Sequence, residues 1–325
     1  MERMKSIRYG ILGTGLNAKK AIAVLTTIAG SEVSAIAGRE ALDAKYLAQK
    51  WQIPRAFESY EEVCQSPDVD VVFIPQENRG HYACAKLALE NGKHVVMEAP
   101  FTRHQVGASE LFMLAQNKGL FLMEAQVGLF NPLFAKLKAV LEAGEIGQVK
   151  LVELKASASL PKDEQWQKDL AAGGGALNIL GSSQINLLTY LLGQEVTAYN
   201  GLDYNQVGAA DDYSVLNLKA GAVLANVTLS IDFAVANEMK IYGNEGQIIV
   251  KDTVFGDNAI IQKTNTKKRL LAKGQENAAQ AMFKAINAAI LAGQTESEIL
   301  TGQMTQSALK LIESTYQAWY GDPLN

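Results

Sequence analysis

The stretch Ser6–Ala18, SIRYGILGTGLNA, decides the fold. An apolar run, Ser6–Leu12, ends at Gly13, and Leu16–Ile28 then carries apolar residues at helical spacing. Between the two, Gly13-Thr14-Gly15-Leu16-Asn17-Ala18 fits G-x-G-x-x-A. The match takes its force from context, because this turn must follow a strand and open a helix to be a dinucleotide loop. Gly13 allows the tight turn, Gly15 leaves room for a pyrophosphate beside the backbone, and Ala18 keeps the helix close to the sheet. The diphosphate would then meet unpaired backbone N–H groups at a helix start. The alternative is a structural turn that holds no ligand.

Downstream, strand and helix signals alternate. Glu32–Ala37, Asp70–Ile74, His94–Met97 and Leu120–Glu124 are strand-like, and Glu40–Trp51, His81–Glu90 and Gln105–Asn117 have helical spacing. Continuous apolar strands separated by helices predict a doubly wound parallel sheet covered on both faces. This α/β domain is expected to span residues 1–125.

After Gln126 the texture changes. Pro132–Glu142 is an amphipathic helix, Gln148–Ser157 a half-buried strand, and a helix follows the glycine run 173–175. Ser214–Lys219, Ala222–Asp232, Glu238–Tyr242 and Gln247–Val250 are strand candidates with short turns between them, which favours an antiparallel sheet. The basic run Lys267-Lys268-Arg269 is expected in a solvated turn. Helices Asn277–Leu291 and Thr301–Trp319 close the chain. Residues 126–325 therefore read as an α+β domain, with closing helices free to pack back on the first domain.

The chain has 325 residues, 48% hydrophobic and 20% charged, with a net charge of -4. That composition fits a globular chain and offers no positive field for nucleic acid. No run approaches the roughly 18 apolar residues of a membrane span. The start, Met1-Glu2-Arg3-Met4-Lys5, has no apolar leader, and two cysteines form no disulfide framework. A cytoplasmic setting is the expectation, and no metal motif is present.

The end of the second strand discriminates between nicotinamide cofactors. An acidic residue there would bond the ribose 2′-hydroxyl, but the chain offers Ala37-Gly38-Arg39. The Arg39 guanidinium can pair bidentately with a 2′-phosphate, which favours NADP over NAD. Glu40 is adjacent, and an Arg39 stacked on adenine would suit either cofactor.

Further motifs carry a family resemblance. They are Ile74-Pro75-Gln76-Glu77-Asn78-Arg79-Gly80-His81-Tyr82, Gly92–Phe101 (GKHVVMEAPF), Phe121–Ala125 and Phe130-Asn131-Pro132. In the second half follow Gly173-Gly174-Gly175-Ala176-Leu177, Asp211-Asp212 and Ile241–Gly246 (IYGNEG). With the glycine loop they resemble the Gfo/Idh/MocA oxidoreductases, most of all the branch containing dimeric dihydrodiol dehydrogenase. The resemblance implies a Rossmann domain followed by a domain with a large open antiparallel sheet, through which members form homodimers or dimers of dimers. It implies cofactor contacts from Gly13, Thr14, Gly15, Leu16, Asn17, Gly38, Arg39, Pro75, Asn78, His81, Glu98, Ala99 and Gln126.

Three positions depart from the family. Ala99 stands where members place the lysine of Glu-Lys-Pro, and Ile179 and Ser183 stand where they place an Asp and a His or Tyr. The three histidines, His81, His94 and His104, all precede residue 125, so the second domain supplies no imidazole. Of these, His81 helps shape the nicotinamide end, His94 is structural, and His104 decorates a surface helix. Lys155 is a candidate proton carrier on the strand Gln148–Ser157, its alternative a solvent-facing strand lysine. Lys162, Asp163 and Tyr190 lie in the same part of the chain, and Gln126 and Asn178 offer hydrogen bonds without proton transfer. The sequence supports an NADP-dependent oxidoreductase acting on a small polyol, sugar or cyclic diol. The alternatives are a catalytically silent cofactor-binding sensor or assembly partner, and a sugar-binding module with a vestigial nucleotide site.

Overall fold

The computed structural model describes residues 6–76, 78–159, 165–206, 209–272 and 277–321. The chain forms two compact units, Met1–Ala125 with Ala279–Gly302, and Gln126–Ala278 with Gln303–Asn325.

The first unit is built on strands β1 (Ile7–Leu12), β2 (Ser31–Ala37), β3 (Arg55–Ala56), β4 (Val71–Ile74), β5 (His94–Glu98) and β6 (Leu122–Ala125). All described pairings are parallel, in the order β3-β2-β1-β4-β5-β6. Helices α1 (Leu16–Leu25), α2 (Ala41–Trp51), α3 (Tyr60–Gln65), α4 (His81–Glu90) and α5 (Gln105–Lys118) make the connections. Every residue of β4 is buried, as are Val95, Val96 and Met97 of β5, which is why these strands read as unbroken apolar runs. Strand order reverses between β1 and β4, and a crevice opens at the carboxyl ends of the strands at such a switch point. Both cysteines are free and buried, and burial pushes the Cys64 thiol up to about 12.

The second unit begins with α6 (Pro132–Glu142), β7 (Val149–Ser157) and α7 (Ala176–Leu192). Strands β8 (Ala198–Asn205), β9 (Asp211–Ala220), β10 (Val223–Ser230), β11 (Met239–Gly243), β12 (Gln247–Val250), β13 (Asn258–Gln262) and β14 (Lys267–Leu271) complete an eight-stranded sheet, ordered β14-β13-β12-β11-β7-β10-β9-β8. The chain then enters the first unit through α8 (Ala278–Leu291) and ends in the second with α9 (Gly302–Tyr320).

Two expectations change here. The sheet is mixed, because β10 pairs with β7 in parallel over Leu224–Ser230 while the other pairs are antiparallel. Strand β7 is separated from its sheet neighbours by α7 and long connections, and a crossover of that kind permits parallel pairing. Lys267-Lys268-Arg269 opens edge strand β14 instead of a turn, and exposed cations on an edge discourage pairing with another chain.

One face of this sheet is apolar, with Val152, Leu154, Leu216, Leu218, Val227 and Leu229 buried, and α7 packs on β7, β9 and β10. The opposite face is open. Across it, Asn226 Nδ2 donates to Asn217 Oδ1 and Asn217 Nδ2 to Asn200 Oδ1, each at 3.1 Å. Leu202, 81% exposed, and Leu224, 56% exposed, flank this row.

The amino end of α7 is held from two other elements. Its cap position is Gly175, which has no side chain to offer, and Asp211 of β9 takes that part. Asp211 Oδ2 accepts from Leu177 N at 2.9 Å, and Oδ1 accepts from the Tyr316 hydroxyl of α9 at 2.5 Å. Asn178 N in turn donates to the Tyr316 oxygen at 3.2 Å. Burial is the dominant influence on Asp211 and outweighs these donors, pushing its carboxyl up to about 7. The folded chain then holds a proton that the unfolded chain releases near pH 4, so this contribution to stability is full below about pH 4 and is lost as pH rises to about 7. Thermal melts across this range should show that decline in the wild type and a flatter profile for Asp211→Asn.

Candidate cofactor and active site

The glycine turn sits at the switch point. Gly13 has φ +145°, a conformation only glycine adopts freely, and its N–H donates to Ala37 O at 2.8 Å, tying the turn to the end of β2. A Cβ at Gly13 would approach Pro75 Cγ at 3.4 Å, and one at Gly38 would lie 2.6 Å from Thr14 Cγ2. The ends of β1, β2 and β4 thus meet around this turn.

Gly15 is different in kind. Its φ of -67° suits any residue, yet nothing lies within 4 Å of where its Cβ would be. Gly15 caps α1 without a side-chain hydrogen bond, and Leu16 and Asn17 at the first helical positions are exposed. An open cradle in front of an uncapped ten-residue helix fits a diphosphate. Arg39 is exposed at the end of β2 and near enough to Tyr60 to oppose the upward push of burial on that phenol. Glu40, also exposed, occupies the cap position of α2.

Toward β4 and β5, Pro75 and Asn78 are buried, and among the described residues the Asn78 Oδ1 has no hydrogen-bond partner. Asn78 opens a short 3-10 turn, Asn78–Gly80, leading into α4. His81 begins that helix fully buried. Its Nε2 lies 2.7 Å from Gln76 O and its Nδ1 2.9 Å from Pro100 O and 3.2 Å from Phe101 O. Burial lowers its pKa against the pull of these carbonyls, and the ring bridges the segments after β4 and β5. His94 is structural too, its Nδ1 accepting from Phe121 N at 2.8 Å. His104 occupies the cap position before α5, half-buried, instead of lying on the helix surface.

Glu98 ends β5, and Ala99 follows it, joined to Pro100 by a cis peptide. The Glu98 side chain is half-buried, and desolvation pushes its carboxyl up to about 7; Lys20 of α1 opposes this and Glu124 of β6 adds to it. The sequence motif marked Glu98 as a cofactor contact, but nothing in it signalled this titration, which depends on side chains from three separate elements.

In the second unit, Gln126 is buried and its Nε2 donates to Ser182 Oγ of α7 at 3.3 Å. Ile179 and Ser183 are half-buried on the same helix, and Ser183 Oγ donates to Leu180 O at 2.8 Å. Asn178 Nδ2 donates to Gly174 O at 2.9 Å. Lys155 lies on the open face of β7, opposite α7, with its Nζ 3.1 Å from Glu238 Oε1. Tyr190 packs under the Lys138 ammonium, 5.5 Å from the ring centre. Lys162 and Asp163 lie outside the described residues. Sequence reasoning assigned no role to Asp211 or Tyr316, since the contact joins residues 105 positions apart. Among the described residues, no group of His, Cys, Asp and Glu is arranged for a metal, and no helix is long and apolar enough to cross a membrane.

Residues 7–126 match the model of an oxidoreductase family with an NAD-binding Rossmann fold, and residues 134–249 match the Gfo/Idh/MocA C-terminal domain. The chain is 32% identical over 250 residues to the trans-1,2-dihydrobenzene-1,2-diol dehydrogenase of Mus musculus, covering 74% of this chain and 73% of the relative. It belongs to the Gfo/Idh/MocA oxidoreductases. The Sus scrofa enzyme of the same name is 29% identical over 96% of this chain and 97% of its own. The fold of the Gfo/Idh/MocA chain is also that of KijD10, a 3-ketoreductase of Actinomadura kijaniata solved with NADP and TDP-benzene, with a TM-score of 0.86 at 23% identity over 96% of this chain and 97% of that one.

The cradle at Gly15 makes a clean test. Gly15→Val should lower the melting temperature of the cofactor-free protein by no more than the few degrees expected for a poorer helix cap, since a Cβ there meets open space. It should reduce dinucleotide affinity at least about tenfold, because the side chain fills the volume that a diphosphate needs. Melting curves with and without NADPH measure both.

Proposed function

We propose that this Gfo/Idh/MocA protein is an NADP-dependent oxidoreductase that moves hydride between the cofactor and a small polyol, sugar or cyclic diol. The observation that carries the reading is the open cradle at Gly15 before an uncapped α1, with Arg39 at the neighbouring strand end. The dihydrodiol dehydrogenases among the relatives and the NADP-bound 3-ketoreductase of the same fold support the substrate and cofactor classes. Cofactor contacts are assigned to Gly13, Thr14, Gly15, Leu16, Asn17, Gly38, Arg39, Pro75, Asn78, His81, Glu98, Ala99 and Gln126. The open face of the second sheet, with Leu202 and Leu224 exposed on it, favours a homodimer built through that face.

The hydride chemistry belongs to the cofactor, while the protein positions the partners. Replacement of the family lysine, Asp and His or Tyr by Ala99, Ile179 and Ser183 removes general acid/base help worth about 10²–10⁴-fold, or roughly 3–5 kcal/mol of barrier. Positioning alone contributes about 7–11 kcal/mol, so turnover survives at a reduced rate. These three replacements also favour a second reading, a cofactor-binding protein that no longer turns over. NADPH oxidation across a panel of small carbonyl compounds separates the two: binding with no oxidation of any member rejects the enzyme.

Cofactor choice is tested at Arg39. Arg39→Ala should weaken NADPH binding by about 10–100-fold while leaving NADH within about twofold, the loss expected for charge-assisted bonds to a phosphate. Equal losses for both cofactors would assign Arg39 to the adenine instead.

A further inference from the structure

Beyond Ile74 and Met97 the parallel pairing of β4 with β5 stops, and the two chains leave for α4 and α5. Both departing segments carry residues assigned above to the cofactor, Pro75 and Asn78 on one side, Glu98 and Ala99 on the other. A dinucleotide resting on the Gly13–Gly15 turn sends its nicotinamide half toward these strand ends. One buried side chain spans the gap between them. His81, 1% exposed at the start of α4, holds Nε2 at 2.7 Å from Gln76 O and Nδ1 at 2.9 Å from Pro100 O and 3.2 Å from Phe101 O.

Each ring nitrogen therefore faces a carbonyl oxygen, and a carbonyl oxygen can only accept. A neutral imidazole has one N–H. It donates to one segment and turns a bare lone pair on the carbonyl of the other, a contact between two acceptors with no hydrogen to share. The imidazolium has two N–H groups and satisfies both sides at the distances present.

We propose that His81 is a proton-controlled clamp on the cofactor site: the neutral ring holds one of the two segments, and the imidazolium holds both. It is a positioning residue. The inference rests on the cofactor reading given above and deepens it, by naming what sets the spacing of the segments that meet the nicotinamide half.

Each segment is also fixed on its own side, independently of the ring. Gln76 Nε2 donates to Cys84 Sγ of α4 at 2.7 Å, and a Cβ at Gly80 would lie 3.1 Å from Gln76 Cδ. Phe101 is fully buried and stacks on Phe112 of α5, with ring centres 5.0 Å apart. Loss of one ring bond thus uncouples two pieces that each keep an anchor.

The other titratable groups around the clamp, among the described residues, are engaged elsewhere or stand off it. On α4, Tyr82 donates to Glu110 of α5, and Lys86 lies over the Tyr82 ring. Arg79 of the 3-10 turn is exposed, and Glu98, Arg103 and His104 are half-buried along the segment after β5. Strand β4 carries nothing that titrates. The influences on the ring itself are desolvation, the largest, which opposes the charge, and the carbonyls of Gln76, Pro100 and Phe101, which favour it. Their balance sets the titration below the ordinary histidine value of 6.5, so the second N–H forms as pH falls below that value. The clamp is one-sided in neutral solution and two-sided in acid.

The test begins with ¹⁵N NMR of the full chain labelled at its three histidines, assigned with His94→Gln and His104→Gln. Between about pH 7.5 and about pH 5, the His81 ring should gain a second N–H, with both shielded from exchange with solvent. A ring that keeps a single N–H down to about pH 5 overturns the proposal. The functional readout compares NADPH with 2′-phospho-ADP-ribose, which has the same phosphates and no nicotinamide, over the same range. NADPH is used because its dihydropyridine is uncharged. The ratio of the two affinities should shift toward NADPH by about threefold or more on acidification, as the fraction of chains with both segments held grows. His81→Gln should flatten that ratio. A merely structural loss would weaken binding equally at every pH, so the slope is what identifies the clamp. A wild-type ratio independent of pH, or a slope kept in His81→Gln, overturns the proposal. If His81→Gln fails to fold, the wild-type spectra and ratio still decide. Binding of neither compound at any pH overturns the cofactor reading, and the ring spectra then judge the clamp by themselves.

Discussion

The first turn of α1 presents backbone N–H groups that no side chain among the described residues caps, in front of a glycine whose missing side chain leaves open space. An uncapped helix start left to water is tolerable, but its partial positive charge is better matched by an anion. Much of the first unit serves this feature. Ala37 O holds Gly13 N, Gly38 makes room for Thr14, and Pro75 braces the turn from β4. The choice of glycine at both Gly13 and Gly15 thus answers different needs, conformation at one and volume at the other.

The second unit solves the same helix-end problem in the opposite way. The start of α7 is closed by the protein itself, through Asp211 and Tyr316 brought from β9 and α9. Such an end is anchored, and its donors are already engaged. The helix carries Ile179 and Ser183 where the family resemblance places proton-handling groups, and no acid or base appears along Ala176–Leu192 except Tyr190. The two units therefore divide their tasks: one leaves a helix end open, and the other fixes a helix firmly and gives it a nearly uncharged surface.

Much of this was legible in sequence because it is local. The β1–turn–α1 unit, the apolar β4 and β5, and helices such as Pro132–Glu142 and His81–Glu90 are visible in spacing alone. Helix α3 escaped notice although Ser59 and Glu62 form a capping box, the one signal that would have marked it. Strand β14 was hidden by its own charge, since Lys267, Lys268 and Arg269 resemble a solvated turn until the edge position explains them. The parallel β7–β10 pair was not legible, because pairing between segments some 70 residues apart leaves no mark on either one. The same limit applied at the site. Gly13, Gly15 and Arg39 are motif positions, whereas the state of Glu98 depends first on its burial and then on Lys20 and Glu124, which no motif connects to it.

The row of amides formed by Asn200, Asn217 and Asn226 has a consequence for any surface that covers it. Polar side chains on a sheet normally resist being dehydrated, because each must surrender its bonds to water. Here the middle amide both gives and receives within the row, so a molecule laid over these strands would displace solvent from groups already partly reconciled with one another. Such a strip can lie beneath Leu202 and Leu224 contacts without demanding matched partners at every position, which makes the face tolerant of what it meets while its geometry stays fixed.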